Sequence, residues 1–467
     1  MVLGALALSA FFLALWFTLL LDQPRIVNAE ARPGVGVIDV GFTVEGWHDV
    51  EVMVVAEPLG GSGPAIVTKL AGVGCHALKL KVAGGVGYKV IVTCSARGRD
   101  HSVELFVPYV WGFEDFASSL AGEGIVISAV YVPWNMANVL GAGWAGDRPL
   151  LGLYDAVDDL VQWKHVDWAR GYGISVFWVD WTNYAHTSAQ ERVLAVTRGL
   201  LDKGMKVGIM LGPQVDMRYG EGYPSVDLSD PWNKRVLLEV AEMAAQLMKH
   251  PNYYRVRGRP ALLIWNEVTF YNRAEAYREL RELVKTVCGA EPYVIADALP
   301  RIMRGLNVVP GTPEGEWYLR NILLRRGDGG DLYIDAYTSW VGFLSVQGEL
   351  ALTGEELARY PELYEVHLAA WSAYALSRGK CLVPTVSPGF DRTHDPSFNQ
   401  PRAVSRDSER FARLLRTALA SAIALGCGEV RIDTWNDFYE ATFIEPSVSE
   451  GFAYLEAVRS AVVGFRG

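Results

Sequence analysis

The rhythm of apolar and polar positions changes three times along this chain. From Val2 to Leu21 every residue is uncharged and most are apolar. About 20 such residues are enough to cross a bilayer. A secretory signal normally opens with basic residues and carries a shorter apolar stretch, whereas no Lys or Arg precedes this run and "VNA", ending at Ala29, is only a passable cleavage site. Residues 1–22 are therefore expected to be an apolar helix, a transmembrane anchor through residues 2–21 or a signal segment, with the anchor preferred. Arg25 lies beyond the run and orients it only weakly. Residues 23–33 read as a linker, and the protein as extracytoplasmic, anchored or secreted.

From about Gly34 to Val110 the period becomes two. Runs such as "VGVIDVGFTV", "DVEVMVVAE", "YKVIVTC" and "HSVELFVPYV" are separated by Gly-rich turns, the pattern of a small antiparallel β-sandwich. Residues 34–110 are assigned to such an accessory domain. No face of it gathers aromatic residues, so a spacer is the plainer reading and a sugar-binding module the alternative.

From Trp111 to Gly467 strand-like runs alternate with longer amphipathic stretches. The runs are "IVISAVYV", "ISVFWVDW", "KVGIMLG", "ALLIWNE", "YVIADAL", "LYIDAYTSW", "CLVPTVSPGF" and "EVRIDTWND". Between them lie helical patterns such as "KRVLLEVAEMAAQLMKH" and "RFARLLRTALASAIALG". Eight such alternations predict an α/β fold, a (β/α)8 TIM barrel.

Composition narrows the function. Half of the 467 residues are hydrophobic and 21% are charged, so the chain can bury a core. A net charge of -10 argues against nucleic acid or an anionic membrane surface as partner. A neutral ligand such as an oligosaccharide or polysaccharide fits better, and the 15 Trp and 21 Tyr offer flat faces with polar handles for sugar rings. No metal-ligand spacing occurs and no cofactor is implied. Nothing in the sequence speaks to oligomeric state. Five Cys are too few for a disulfide scaffold. Cys288, Cys381 and Cys427 lie in apolar barrel segments and read as buried thiols. Cys75 and Cys94 flank a predicted hairpin around Gly84 and Gly85; its best register sets Cys94 opposite His76, so a bridge there needs a bulge.

The ends of the predicted barrel strands hold the candidate chemistry. Tyr131 and Trp134, Asp180 and Trp181, Asn266 and Glu267, Tyr337 and Trp340, Asp391, and Asn436 with Asp437 all fall where a run stops. Such barrels place their active sites at that rim. The densest stretch is "DTWNDFYEATFIEPS", residues 433–447, with Trp435, Tyr439, Glu440 and Glu445 among its members.

In order and spacing, "VYVPW", "PLLGLYDAVDDLVQWKHVDWARGYGISVFWVDW", "KHPNYYRVRGRPALLIWNE", "PTVSPGFD" and "TWNDFYEATFIEP" resemble glycoside hydrolase family 99 and the related WbsX-like proteins of polysaccharide loci. The resemblance covers most of the barrel. It implies a retaining endo-α-mannosidase that needs no metal. It also implies that Glu440 is the general acid and base, and that Asp437 takes the place of the family's Glu that deprotonates the sugar's own 2-hydroxyl to give a 1,2-anhydro intermediate. Tyr154, Asp155 and Asp158 of "GLYDAVDD" match family positions near the sugar. Two departures stand out. Asp437 is one methylene shorter than Glu, a retreat of roughly 1–1.5 Å given a carbon–carbon bond of about 1.5 Å. The family's His-Trp pair after the first strand is replaced here by "NMANVLGAGW".

The residues support the same chemistry unaided. Glycoside cleavage uses one carboxylic acid to protonate the leaving oxygen and one carboxylate to attack or stabilise the anomeric centre. Asp437 and Glu440, three apart on a turn, can share a cavity, with Trp435 and Tyr439 as apolar walls that would raise the acid's pKa. Alternatively both carboxylates cap a following helix, Asp155 is a helix cap, and Glu445 braces a loop. A second enzymatic reading takes Glu267 of "IWNE" as acid/base, but the seventh strand offers Asp391 and no Glu as nucleophile, which leaves Glu267 as a sugar contact. A third is a non-catalytic glycan-binding envelope protein on a degenerate barrel. A glycosyltransferase role lacks a nucleotide-sugar motif.

Overall fold

The period-two alternation of the first hundred residues builds two antiparallel sheets in the computed structural model. The model describes residues 23–466 except 47–48, 62, 142–145, 183–188, 223, 301–307, 341–353, 395–402 and 426. The apolar segment 2–21 lies outside the described residues. Among those described, no helix is long and apolar enough to cross a membrane. The chain divides into two compact units, one ending at Glu114 and one beginning at Asp115.

In the first unit, strands β1 (Arg25–Pro33), β2 (Val37–Glu45) and β5 (Gly74–Lys81) form one sheet, and β4 (Ile66–Ala71), β3 (Glu51–Pro58), β6 (Tyr88–Ala96) and β7 (Arg99–Val107) form the other. Ile38, Val40, Phe42 and Val44 from the first and Val52, Val54, Val90 and Val92 from the second fill the space between them. Two expectations are corrected. Residues 25–33, read as a linker, pair with β2 around a bulge between Val27 and Glu30, because Ile26 supplies the buried side chain of an alternating strand. The predicted hairpin around Gly84 and Gly85 does not form. β5 pairs with β2 while β6 pairs with β3 and β7, so the connection passes between sheets and Cys75 and Cys94 stay unbridged.

The second unit is an α/β fold around a curled parallel sheet. Its strands are β8 (Val126–Tyr131), β9 (Val176–Asp180), β10 (Lys206–Leu211), β11 (Arg259–Ile264), β12 (Tyr293–Asp297), β13 (Ala336–Thr338), β14 (Cys381–Leu382), β15 (Thr385–Val386) and β16 (Glu429–Ile432). The order is β14-β13-β12-β11-β10-β9-β8-β16-β15. All eight apolar runs became strands, the seventh supplying both β14 and β15. Those two halves of one stretch are the two ends of the sheet: Cys381 pairs with Ala336 on one side and Thr385 with Arg431 on the other. Helices α1 (Phe116–Gly122), α2 (Asp159–Gly171), α3 (Gln190–Asp202), α4 (Pro231–Leu247), α5 (Ala274–Cys288), α6 (Gly354–Ser377), α7 (Ser408–Ala424) and α8 (Ala453–Arg466) belong to this unit. Acidic caps start several of them. Asp230 accepts from the Trp232 N–H just ahead of Pro231, and Asp407 from that of Arg410.

Inside the sheet a bulky side chain is admitted by its small neighbour. A Cβ on Gly208 of β10 would lie 2.4 Å from the Trp178 ring of β9. The seventh and eighth strands begin side by side, which brings Cys381 and Cys427 to a Cα separation of 5.7 Å and joins them in a disulfide. They are therefore not the free thiols the sequence pointed to; Cys288 is free. The bridge closes a loop with a sequence separation of 46, for which the chain-entropy relation gives roughly 4 kcal/mol. Denaturant unfolding with and without reductant, and of Cys381→Ser, should show a loss of that order. Coincident curves would mean the bridge contributes nothing to stability.

Candidate active site

The stretch after β16 leaves the sheet as a tight, irregular loop, and its backbone is anchored at nearly every residue. Trp435 N–H donates to the Val130 carbonyl at 2.6 Å, and the Asn436 carboxamide meets both the N–H and the C=O of Val132, at 2.7 and 2.9 Å. Asp437 N–H donates to Thr434 Oγ1 at 2.9 Å. Asp437 Oδ1 in turn accepts the Glu440 N–H at 2.8 Å. This closes a four-residue turn; no helix follows until α8. Asp437 therefore does cap a turn, and it does so beside the second candidate carboxylate.

Glu440 is held from strand seven's side. Its carbonyl accepts the Asp391 N–H at 2.8 Å, and Arg392 Nη1 lies 3.4 Å from Glu440 Oε1. The same guanidinium donates to the Tyr439 hydroxyl at 3.2 Å and stacks 4.9 Å from that ring's centre. The Glu440 side chain keeps 15% of its exposure, so it reaches solvent. Asp437 is more enclosed. Burial pushes its carboxyl well above the usual carboxylate range, the negative charges of Glu440 and Asp180 push the same way, and the Glu440 N–H and Arg392 oppose them.

Asp180 ends β9, with Oδ1 accepting both the N–H and the hydroxyl of Thr182, at 2.8 and 2.7 Å. Its surroundings raise it to about 6, with burial the dominant cause. Inside the same sheet Trp265 and Trp340 meet edge to face at 5.9 Å, and Arg431, ion-paired with Asp433 at 2.8 Å, lies over Trp340.

Several predicted sugar contacts face the other way. Tyr131 donates or accepts at His165 Nδ1 (3.0 Å) on α2, Glu445 meets His165 Nε2 (3.1 Å), and the Tyr154 hydroxyl donates to Glu445 at 2.6 Å. This cluster is buried between sheet and helix, and Trp435 packs on His165 and Phe177 beside it. Glu445 is thus the loop brace, and Trp435 is core. Burial, then the Glu445 charge, drives the Tyr131 and Tyr154 hydroxyls far above their ordinary pKa. Trp181 donates to Thr197 on α3 and Tyr337 bonds to Asp331, so both point outward. Asp158 caps α2 through the Leu160 and Val161 N–H groups. Asp155 bonds Arg192 and Asn135; burial would raise it, but the guanidinium and the Val157 N–H outweigh that and lower it. Trp134 is half-buried near them, its N–H on the Val132 carbonyl.

Glu267 is corrected most firmly. It is fully buried, with Arg273 at 2.6 Å and Tyr277 at 3.0 Å on one oxygen and Arg325 at 3.1 Å on the other. It is a structural counter-ion rather than a sugar contact or an acid. Arg392 and Trp265 were not singled out from the sequence, nor was His165 in the cluster behind the sheet. Arg392 directly follows the "SPGFD" stretch, which is the one signal that could have marked it. Behind the loop a cavity of about 390 Å³ is lined by Asp391, His394, Arg406, Phe438, Phe443 and Glu450, without reaching Asp437 or Glu440. Among the described residues no three His, Cys, Asp or Glu side chains could hold a metal ion.

A curled parallel sheet with a carboxylate pair on the loop after its last strand is an architecture used by barrel glycosidases. The model of a family described as glycosyltransferase WbsX matches residues 226–458. Among solved structures, an endo-α-mannosidase of glycoside hydrolase family 99 from Bacteroides thetaiotaomicron aligns with a TM-score of 0.50 and 18% identity, over 76% of this chain and 98% of that one. A second structure of the enzyme from that organism gives 0.50 and 16% over the same shares. A glycoside hydrolase-like protein gives 0.54 and 19%, over 72% and 93%. No curated protein matches the chain. The resemblance to glycoside hydrolase family 99 and the WbsX-like proteins is thereby shown.

Glu267→Ala would leave the Arg273 and Arg325 guanidiniums facing an empty site, and removing one partner of a buried ion pair costs about 3–5 kcal/mol. Equilibrium unfolding should register a loss of that size. Wild-type stability would mean that these ion pairs do not support the fold and would restore the reading of Glu267 as a sugar contact.

Proposed function

We propose that the chain is a retaining, endo-acting glycoside hydrolase built on a (β/α)8 barrel, cleaving α-mannoside-type linkages in a surface or extracellular glycan. One observation carries the reading: Asp437 and Glu440 leave the same rim turn, locked together by the Glu440 N–H on Asp437 Oδ1, with a guanidinium beside one and a desolvated pocket around the other. Two carboxyls on one turn can act on the same glycosidic bond, as such cleavage requires. The printed activity of the family 99 structures supports α-mannoside as the substrate class. Asp437 would take the proton of the sugar's 2-hydroxyl as that oxygen attacks the anomeric carbon, while Glu440 protonates the departing oxygen. Water, deprotonated by Glu440, then attacks the anomeric carbon as its bond to the 2-oxygen breaks and Asp437 returns the proton to that oxygen, which restores the original anomer. An extracytoplasmic location, with residues 2–21 as anchor, is part of the proposal; the Cys381–Cys427 bridge supports an oxidising compartment.

The family model's description favours a second reading, sugar transfer from an activated donor. The two differ in what they consume, so a reducing-end assay on α-mannans decides between them. Under hydrolysis, residues 23–467 release oligosaccharide without any nucleotide sugar. Glu440→Gln should lose about 10²–10⁴ in rate, as for a general acid, while retaining ligand binding. Substrates lacking the 2-hydroxyl should not turn over even with a good leaving group, and early NMR should show the substrate's own anomer in the product. An inverted product, ready cleavage of a 2-deoxy substrate, or an active Glu440→Gln would remove the mechanism.

A further inference from the structure

The segment between β12 and β13 turns one tryptophan outward. In the short helix Pro313–Tyr318 the Tyr318 side chain is buried, its hydroxyl donating to the Ala298 carbonyl at 2.9 Å and its ring meeting that of Trp371 edge to face at 6.1 Å. A helix turns by about 100° per residue. With Tyr318 fixed inward, the Trp317 indole faces solvent and is 57% exposed. It lines a surface cavity of about 1170 Å³ together with Arg320, Asn321, Leu332, Tyr374 and Arg378. Leu332 comes just before β13, and Tyr374 and Arg378 just before β14. Both strands belong to the parallel sheet in which β16 ends at the loop of Asp437 and Glu440. The cavity therefore lies toward the end where the strands begin, away from the candidate reacting centre.

Its polar groups are held in place with bonding capacity to spare. Arg378 donates through Nη2 to Asp331 Oδ2 at 3.0 Å, and Asp331 is itself fixed by the Tyr337 hydroxyl and, through its carbonyl, by Lys380 Nζ at 2.7 Å. The guanidinium is thus pinned along one edge, 41% exposed, with Nε and Nη1 left for another partner. Asn321 uses its Nδ2 on the Trp317 carbonyl at 2.8 Å, which leaves the amide oxygen as an acceptor beside the indole. Leu332, 78% exposed, adds a second apolar wall. Apolar side chains left exposed together, with polar groups around them, mark interaction sites.

We propose that this cavity is a second glycan-binding site, in which Trp317 stacks on a sugar ring of a neutral polysaccharide while Arg378 and Asn321 bond its hydroxyls. A sugar presents a face of C–H groups and a margin of hydroxyls that both donate and accept. The indole suits the first, and the pinned guanidinium and the amide oxygen suit the second. The volume exceeds the roughly 300–1,000 Å³ of small-molecule pockets, which fits several units of a chain rather than one. The purpose of the site rests on the hydrolase reading. A polymer gripped away from the rim keeps its other segments at high effective concentration near Asp437 and Glu440, so the site favours long chains over short ones.

The test watches Trp317 itself, by ¹⁹F NMR of the full chain carrying fluorotryptophan and Glu440→Gln, with Trp317→Phe used to assign the Trp317 resonance. Soluble α-mannan, and a neutral α-glucan for comparison, are the probes. α-Mannan should shift that resonance in a saturable way, and Asn321→Ala should raise the midpoint of the titration. In protein with Glu440 intact, the ratio of kcat/KM on long α-mannan to that on a short α-mannoside should fall about tenfold in Trp317→Ala, the order of effect an aromatic face provides. Trp317→Phe keeps a ring, should lose less, and serves if the alanine variant fails to fold. A Trp317 resonance unmoved by either glycan overturns the proposal, as does an unchanged ratio in an active protein. A resonance that moves with protein concentration and not with glycan marks a contact between copies of the chain and overturns it too. The spectroscopic arm needs no turnover, so a protein that cuts no glycan but shows the shift loses only the hydrolase reading.

Discussion

The grip of Asn436 on Val132 is the contact on which the site's geometry depends. One carboxamide satisfies the N–H and C=O of Val132, just past β8, at 2.7 and 2.9 Å, and in doing so fixes where the loop after β16 must lie. A loop without regular structure needs such anchors, since its own polar backbone groups would otherwise be buried unpaired. The returning chain completes the set. Glu445 N–H comes back to the Trp435 carbonyl at 2.8 Å, and the Glu445 carboxylate is held by Tyr154 and His165 behind the sheet. Asp437 and Glu440 therefore sit in the middle of a span fastened at both ends.

Buried charge is treated in two ways in this unit. Glu267 has two guanidiniums and a phenol, Asp433 has Arg431, and Glu429 has Ser128, Trp178 and Tyr254 as donors. These carboxylates are saturated, and their pairing serves the fold. Asp180 and Asp437 instead accept from neutral donors of their own turns, and burial raises both. Among the described residues neither accepts a hydrogen bond from a guanidinium, in contrast to Glu267 and Asp433.

Much of this could be read from the sequence, and the failures share a cause. Eight apolar runs announced eight strand positions because burial on both faces leaves an uninterrupted signal. The rim position of Asp180, Asp437 and Glu440 followed from where those runs stopped. What could not be read was direction. Tyr131, Trp181, Tyr337 and Trp435 stand at the same strand ends, yet alternation turns them toward the helices, and periodicity is uninformative where both faces are apolar. Glu267 sat in a convincing motif, but its partners Arg273 and Arg325 lie 6 and 58 residues away and only the fold unites them with it. The Cys381–Cys427 bridge and the pairing of residues 25–33 were hidden for the same reason, being properties of register rather than of local pattern.

The shorter acid at 437 takes on a different meaning in this setting. Read as a truncated Glu, it would simply withdraw the carboxylate from the sugar. In the structure its length is what lets Oδ1 fold back and accept the Glu440 N–H three residues on, the turn-closing bond that short polar side chains make well. A Glu at the same place would have to give up that bond or crowd the turn to reach it. Asp437 thus orients Glu440 and holds a carboxyl oxygen in the desolvated pocket at once. The loss of reach is accompanied by a gain in rigidity and in proton affinity, supplied by burial and by the charges of Glu440 and Asp180. Trp265 and Trp340, meeting edge to face inside the same sheet, owe their contact to strand register, since they end strands that lie apart in sequence.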